Sequence, residues 1–98
     1  MRMLNGALEG GMENWTLPRE QWELVRDVIL EVVDDADPDS GALLKAVVAT
    51  VQARLGGHPL FPGGRLTNFA RYTKVDLEAR GVLEVVPRSS PQRVRRKA

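Results

Sequence analysis

Cysteine is absent from the sequence, and its absence excludes several classes of functional site. Disulfide bonds, thiolate zinc sites and cysteine nucleophiles all need a thiol that the chain does not contain. Histidine occurs once, as His58 between Gly57 and Pro59, so two imidazoles cannot form a metal site. The sequence also contains no recognisable arrangement of nucleophile, base and orienting group. We therefore expect no cofactor and no enzymatic activity.

Long hydrophobic runs are absent as well. No segment is long and apolar enough to indicate a signal peptide or a membrane-spanning helix, so we expect a cytoplasmic protein. With 43% hydrophobic and 28% charged residues in a chain of 98, the composition is that of one globular domain. Residues 1–14 are rich in glycine and lack periodicity, which predicts a flexible arm before a domain over residues 15–98.

The net charge of +1 conceals a strong asymmetry between the two halves of the chain. Residues 1–50 carry four basic and ten acidic side chains, whereas residues 51–98 carry ten basic and three acidic ones. Such an imbalance indicates an anionic partner for the basic half. A polarised surface that binds nothing is the alternative explanation.

Apolar spacing predicts two helices in the acidic half. Hydrophobic residues recur at helical intervals over residues 18–33, with carboxylates on the opposite side. The segment Asp37-Pro38-Asp39-Ser40 has the composition of a helix start, and it predicts a second helix that begins there and continues to about Leu55. Gly56 and Gly57 end that helix.

A loop and a third helix follow. The loop over residues 58–66 contains Leu60 and Phe61, which we expect to pack on the core because large apolar side chains avoid water. A third helix is predicted over about residues 68–80, and Gly81 marks its end.

The end of the chain has the pattern of a β-hairpin. Residues 82–86 are rich in β-branched side chains, PRSSP is a turn sequence, and residues 92–96 can return as a strand. In that strand Val94 would face the core, with Arg93 and Arg95 on the other face. Because two strands alone are marginally stable, a third short strand is expected from elsewhere in the chain. The order of elements predicts an α+β fold, a winged helix-turn-helix in which three helices precede a β-hairpin wing.

One polar strip on the predicted third helix is suited to nucleic acid. Thr67, Arg71, Lys74 and Glu78 share one side of the helix. Arg71 and Lys74, supported by Thr67, can donate hydrogen bonds to base edges or phosphates. Glu78 could accept from cytosine, or it could repel phosphate. The alternative for the whole strip is an ordinary solvated helix face.

Arginines of the predicted wing and tail form a second candidate group. Arg88 lies in the turn, and Arg93, Arg95 and Arg96 lie in the returning strand. Cationic wings follow the phosphates of a duplex or enter its minor groove. A basic tail that only improves solubility is the alternative.

The stretch LFPGGRLTNFARYTKVDLEARGVLEVV, residues 60–86, resembles a small family of uncharacterised bacterial winged-helix-like proteins. The residues of the likeness are LFPGG at 60–64 and DLEARG at 76–81, with Phe69 and Lys74 between them. The resemblance implies a winged-helix fold and no particular ligand. One position departs from the pattern of winged-helix regulators. They usually have leucine or valine where this sequence has Thr73 or Lys74.

Two functional hypotheses remain from the sequence. The first is a DNA-binding protein without catalysis, such as a transcriptional regulator, with double-stranded DNA as partner and a homodimer as an open alternative to a monomer. The second is a winged-helix module that binds other proteins and does not bind DNA. The positions of Glu78 and Glu84, inside or outside the basic surface, discriminate between them.

Overall fold

The computed structural model describes residues 18–97, so the arm predicted for residues 1–14 lies outside the described part. Three helices and three strands follow one another as α1 (Arg19–Asp35), β1 (Ala42–Leu43), α2 (Leu44–Leu55), α3 (Thr67–Ala79), β2 (Leu83–Val85) and β3 (Arg93–Arg96). The strands form one antiparallel sheet in the order β1-β3-β2. The fold is therefore α+β, and β1 is the third short strand that the sequence required.

The core lies where the three helices meet one face of the sheet. Val94 of β3 is fully buried, as the alternation in its strand predicts. Phe61 is buried and Leu60 packs against the core from the loop, which confirms the expectation for both residues. Each aliphatic side chain buried in this way contributes about 1.5–3 kcal/mol. The other fully enclosed members include Val25, Ile29, Val47, Val51, Leu66, Leu77 and Leu83.

The start of α2 differs from the prediction. Asp37 does not cap a helix: its carboxylate accepts hydrogen bonds from the N–H groups of Asp39 (2.8 Å) and Ser40 (3.0 Å) and so closes a turn. Both bonds lower the pKa of the Asp37 carboxyl from its ordinary value, and the bond from Ser40 has the larger effect. Gly41 follows with φ 74°, a left-handed conformation that interrupts any helix. The chain then pairs with β3 as β1 before α2 begins at Leu44.

Helix α1 continues two residues beyond its predicted end at Val33, to Asp35. Carboxylates are unfavourable near the negative end of a helix dipole. Asp34, however, accepts two hydrogen bonds from the guanidinium of Arg96 on β3, at 2.9 and 3.0 Å. The arginine therefore provides the positive charge that the end of the helix needs.

The long loop between α2 and α3 is held by one side chain, Gln52. Its amide nitrogen donates to the carbonyl oxygen of Gly64, and its amide oxygen accepts from the N–H of Leu66 at 2.8 Å. Two backbone groups that have no partner in a helix or sheet are satisfied in this way. The loop therefore positions the start of α3, although it is longer than the turn of a minimal helix-turn-helix.

Polar contacts around Trp22 join α1 to α3. The indole N–H of Trp22 donates to Asp76 Oδ2 at 2.9 Å, and Arg80 Nε donates to the same oxygen at 2.8 Å. The guanidinium carbons of Arg26 and Arg80 lie 5.0 and 5.3 Å from the centroid of the indole ring, within cation–π range. Asp76 and Arg80 belong to the DLEARG stretch, so this part of the pattern has a structural role here.

Candidate nucleic-acid interface

A cationic cleft lies between the first turn of α2, the middle of α3 and the connection from β2 to β3. Its volume is about 400 Å³. Two of its residues, Lys45 and Arg71, are exposed, and within residues 18–97 neither side chain forms a hydrogen bond or an ion pair. No carboxylate of residues 18–97 lines the cleft. Among the described residues, those that line it are Leu44, Lys45, Val48, Arg71, Pro91 and Gln92.

The structure brings only part of the predicted polar strip to the surface of α3. Thr67, the first residue of the helix, and Arg71 are exposed. Lys74 is buried, with a relative exposure of 6%, because its ammonium group is engaged inside the protein. Lys74 Nζ lies 2.9 Å from Glu78 Oε1 and 3.3 Å from the side-chain oxygen of Gln92. The outward cation of α3 is therefore Arg71.

The arginines of β3 are also engaged in internal contacts. Arg95 donates to the Glu84 carboxylate and to the carbonyl oxygen of Asp39, each at 2.8 Å. Arg93 donates to the carbonyl oxygen of Gly41 at 3.2 Å. Both side chains are half-buried and fasten β3 to the chain that precedes β1. Arg96 forms the ion pair with Asp34 described above.

Arg88 is different, because it lies exposed in the turn between β2 and β3. Its φ is 61°, and its side chain forms no hydrogen bond or ion pair with any residue from 18 to 97. The turn itself is well held: the Ser89 hydroxyl donates to the Val86 carbonyl oxygen at 2.7 Å and accepts from the Arg93 N–H at 3.0 Å. The structure thus presents Arg88 on a fixed turn.

The two acidic residues on which the choice between the hypotheses depends are both neutralised. Glu78 pairs with Lys74, and Glu84 pairs with Arg95. Neither carboxylate therefore leaves an uncompensated negative charge beside Arg71. The same pairs remove Lys74 and Arg95 from the set of free cations.

Lys45 is the residue of this surface that sequence reasoning missed. The predicted start of α2 at Asp37 placed Lys45 in the interior of a helix, with no indication that it would lie beside α3. The observed start at Leu44 places it in the first turn. The signal that could have revealed this position is Gly41, since a glycine in that place favours a break in the helix.

Residues 18–97 contain neither a cluster of metal ligands nor a membrane-spanning helix. No group of three or more histidine, aspartate or glutamate side chains in residues 18–97 is arranged to hold a metal ion. None of the helices there has the length and hydropathy needed to cross a membrane.

The geometry defines a small three-helix α+β domain with a three-stranded sheet and an exposed cationic surface. The chain belongs to DUF6958, a family of unknown function, and the family model matches residues 2–94. This agrees with the resemblance to an uncharacterised family. Comparison with curated proteins and with solved structures gave no match to the chain.

Proposed function

We propose that this protein is a winged-helix domain that binds double-stranded DNA without catalysing a reaction. In this proposal α3 is the recognition helix, and the connection between β2 and β3 is the wing. Arg71 and Thr67 face the major groove, Arg71 also reaches a phosphate at its edge, and Arg88 contacts the phosphate backbone. Lys45 joins them from α2.

The winged-helix assignment is supported by the order of the elements. A short strand between the first two helices, followed by a third helix and a hairpin, is the order of that fold. The antiparallel order β1-β3-β2, in which the first strand adds beside the last, is also typical of it. DNA-binding domains of the helix-turn-helix class place the later helix in the major groove.

One observation carries the DNA proposal: the unpaired cations of α3 and α2 lie on one surface with the β2–β3 connection. Arg71 and Lys45 line the same cleft as Pro91 and Gln92, residues of that connection. Glu78, the carboxylate of the predicted polar strip on α3, is neutralised by Lys74. A surface of this kind attracts phosphates, and an arginine can also read base edges.

The proposal assigns the other predicted residues to structural roles. Lys74, Arg93, Arg95 and Arg96 are held by internal partners, so their contribution to DNA binding would be to shape the surface. If these side chains left their partners to reach a phosphate, hydrogen bonds that hold β3 in place would be lost. We therefore expect Arg71 and Arg88 to dominate the electrostatic contribution.

The test is fluorescence anisotropy with a random duplex of about 20 base pairs over a series of salt concentrations. Affinity should fall linearly with salt on a logarithmic plot. Arg71→Gln and Arg88→Asn should each lower the slope by about 1, the value for one lost phosphate contact. Asparagine is chosen at position 88 because it tolerates the left-handed conformation found there.

The matched control is Arg54→Gln, which removes the same charge from an exposed arginine paired with Glu31 on another part of the surface. Its slope should stay at the wild-type value. Negligible binding of the wild-type protein at low salt would refute the proposal. So would a double variant at positions 71 and 88 that binds as the control does.

A second candidate function is protein binding, and one observation favours it. A separate cleft of about 350 Å³ on α1 has Glu20, Glu23 and Asp27 around Leu24, with Leu60 and His58 across from them. Its acidic and apolar lining suits a basic segment of a partner protein. If the duplex does not bind, this candidate predicts a concentration-dependent dimer or a co-purifying protein, which light scattering after size-exclusion chromatography would detect.

A further inference from the structure

The cationic cleft combines charge with an apolar floor. Leu44, Val48 and Pro91 provide apolar surface, whereas Lys45 and Arg71 provide positive charge. Leu44 and Val48 are half-buried and Pro91 is exposed, so the floor is accessible from solvent. The ligand that fits has an anionic group and an apolar body next to it.

The position of the floor is fixed by the backbone. The N–H of Leu44 donates to the carbonyl oxygen of Gln92 at 3.0 Å, which fastens the start of α2 to the β2–β3 connection. The side chain of Gln92 in turn meets Lys74 of α3. All three walls of the cleft are therefore connected before any ligand arrives, and such preorganisation reduces the entropy lost on binding.

A phosphodiester with its deoxyribose matches this chemistry. Arginine and lysine are the side chains that most often donate to phosphate oxygens. A volume of about 400 Å³ also lies within the range of about 300–1,000 Å³ typical of pockets for small groups. The sugar attached to the phosphate would cover the apolar floor, which water otherwise contacts.

We infer that the cleft seats one backbone phosphate of the duplex together with its sugar, with Lys45 and Arg71 on the phosphate and Leu44 and Val48 against the sugar. The inference rests on the proposed DNA binding and adds Lys45 as an anchoring residue. Arg71 then has two tasks, since it lies both in this cleft and on the exposed face of the recognition helix.

The first test compares Lys45→Gln with Lys97→Gln in duplex titrations at several salt concentrations. Both variants lose one exposed cation that has no ion pair within the described residues, but only Lys45 lines the cleft. Lys45→Gln should weaken binding several-fold and lower the salt slope by about 1, whereas Lys97→Gln should leave the slope unchanged. Glutamine suits a helix as well as lysine does, so the fold should be intact.

The second test follows the methyl resonances of Leu44 and Val48 by NMR. Adding duplex to the wild-type protein should shift both, and the shifts should shrink in Lys45→Gln. The mononucleotide dTMP is a second probe, because a free nucleotide carries the same phosphate and deoxyribose outside a duplex. It should shift the same methyls weakly and be displaced by duplex.

The outcomes separate this inference from the proposed function. If the wild-type protein binds the duplex but Lys45→Gln and Lys97→Gln behave alike, the role of the cleft is refuted and the proposed function is not. Tight binding of dTMP that duplex does not displace overturns the assignment to a DNA backbone. A wild-type protein that fails to bind duplex at low salt refutes the proposed function and this inference together.

Discussion

Trp22 joins α1 to α3 through a hydrogen bond to Asp76 and a cation–π contact with Arg80. It is almost buried, and Asp76, the acceptor of its indole N–H, is completely buried. A carboxylate in such a place needs hydrogen bonds and a counter-charge to offset the loss of water. The structure supplies a counter-charge from Arg80, four residues further along the chain at the end of α3.

Asp76→Ala should destabilise the protein by about 3 kcal/mol, because it removes an acceptor of both the indole and the guanidinium. Arg80 is 26% exposed and can regain water, which keeps the loss below that of a fully buried pair. The measurement is urea denaturation followed by tryptophan fluorescence. Asp39→Ala, at an exposed carboxylate in the turn before β1, should change the stability by less than about 0.5 kcal/mol. Equal midpoints for the two variants would show that the buried contacts contribute nothing.

At the scale of elements, the chain just before β1 can lie close to β3 because residue 41 is a glycine. A Cβ atom at Gly41 would overlap the carbonyl oxygen of Val94 and lie 2.9 Å from its carbonyl carbon. Gly41 also has φ 74°. Gly81, at the end of α3, has nearly the same φ of 76° but nothing within 4 Å of its would-be Cβ atom. The two positions therefore separate backbone strain from steric overlap.

Gly81→Ala should destabilise the protein by about 1 kcal/mol, the cost of a left-handed conformation with a side chain. Gly41→Ala should cost about 3 kcal/mol, since β1 must also move away from β3. Thermal unfolding by circular dichroism would measure both. Hydrogen exchange should accelerate at the amides shared by β1 and β3 only in Gly41→Ala. If the two alanine variants are equally stable, the close approach at Gly41 is unimportant.

Much of the fold could be predicted at this scale. Helical spacing placed α1 and α3 to within two residues at each end, and alternation placed Val94 in the core. Strand β1 was missed in position because a two-residue strand has no periodicity, and its pairing with β3 arises from tertiary contact. The predicted start of α2 at Asp37 was wrong because the same carboxylate can cap a helix or close a turn.

The candidate site was less predictable than the fold. A helical wheel places Lys74 on the polar side, but it contains no information on Gln92, eighteen residues further along the chain. Nor does it show that the β3 arginines reach carbonyl groups before β1. Arg71 and Arg88 are exposed, and neither side chain forms a hydrogen bond or an ion pair with another of residues 18–97. Partners distant in sequence decided the positions of Lys74, Arg93 and Arg95.

At the scale of the whole molecule, acidic and basic halves partly neutralise each other. Glu31 of α1 pairs with Arg54 of α2, and Asp34 of α1 pairs with Arg96 of β3. Each pair joins the acidic half to the basic half. The asymmetry of charge along the chain therefore exceeds the asymmetry on the surface, and the proposal of an anionic partner rests on the cations that remain unpaired.

The pair of Asp34 and Arg96 predicts a dependence of stability on pH. The side-chain hydrogen bond from Arg96 holds the pKa of Asp34 below its ordinary value. A carboxylate with a lower pKa in the folded state stabilises the fold above its unfolded pKa, and this contribution disappears as pH falls through the folded pKa. Both side chains are about half exposed, so solvent screening limits the contribution to about 0.5 kcal/mol. Stability should therefore decrease as the pH falls below the ordinary pKa of an aspartate, and Asp34→Asn should remove part of that decrease.

Asp35→Asn is the control, because Asp35 is an exposed neighbour without an ion pair among residues 18–97. Urea denaturation at each pH should give the control a curve parallel to the wild-type curve. The Asp34→Asn curve should lie below them near neutral pH and approach them under acid. Arg96→Gln should give the same flattened curve as Asp34→Asn, since it removes the cause of the lowered pKa while leaving the carboxylate. If Arg96→Gln retained the full pH dependence of the wild type, the acid sensitivity would come from other carboxylates, and α1 would be held to β3 by apolar packing alone.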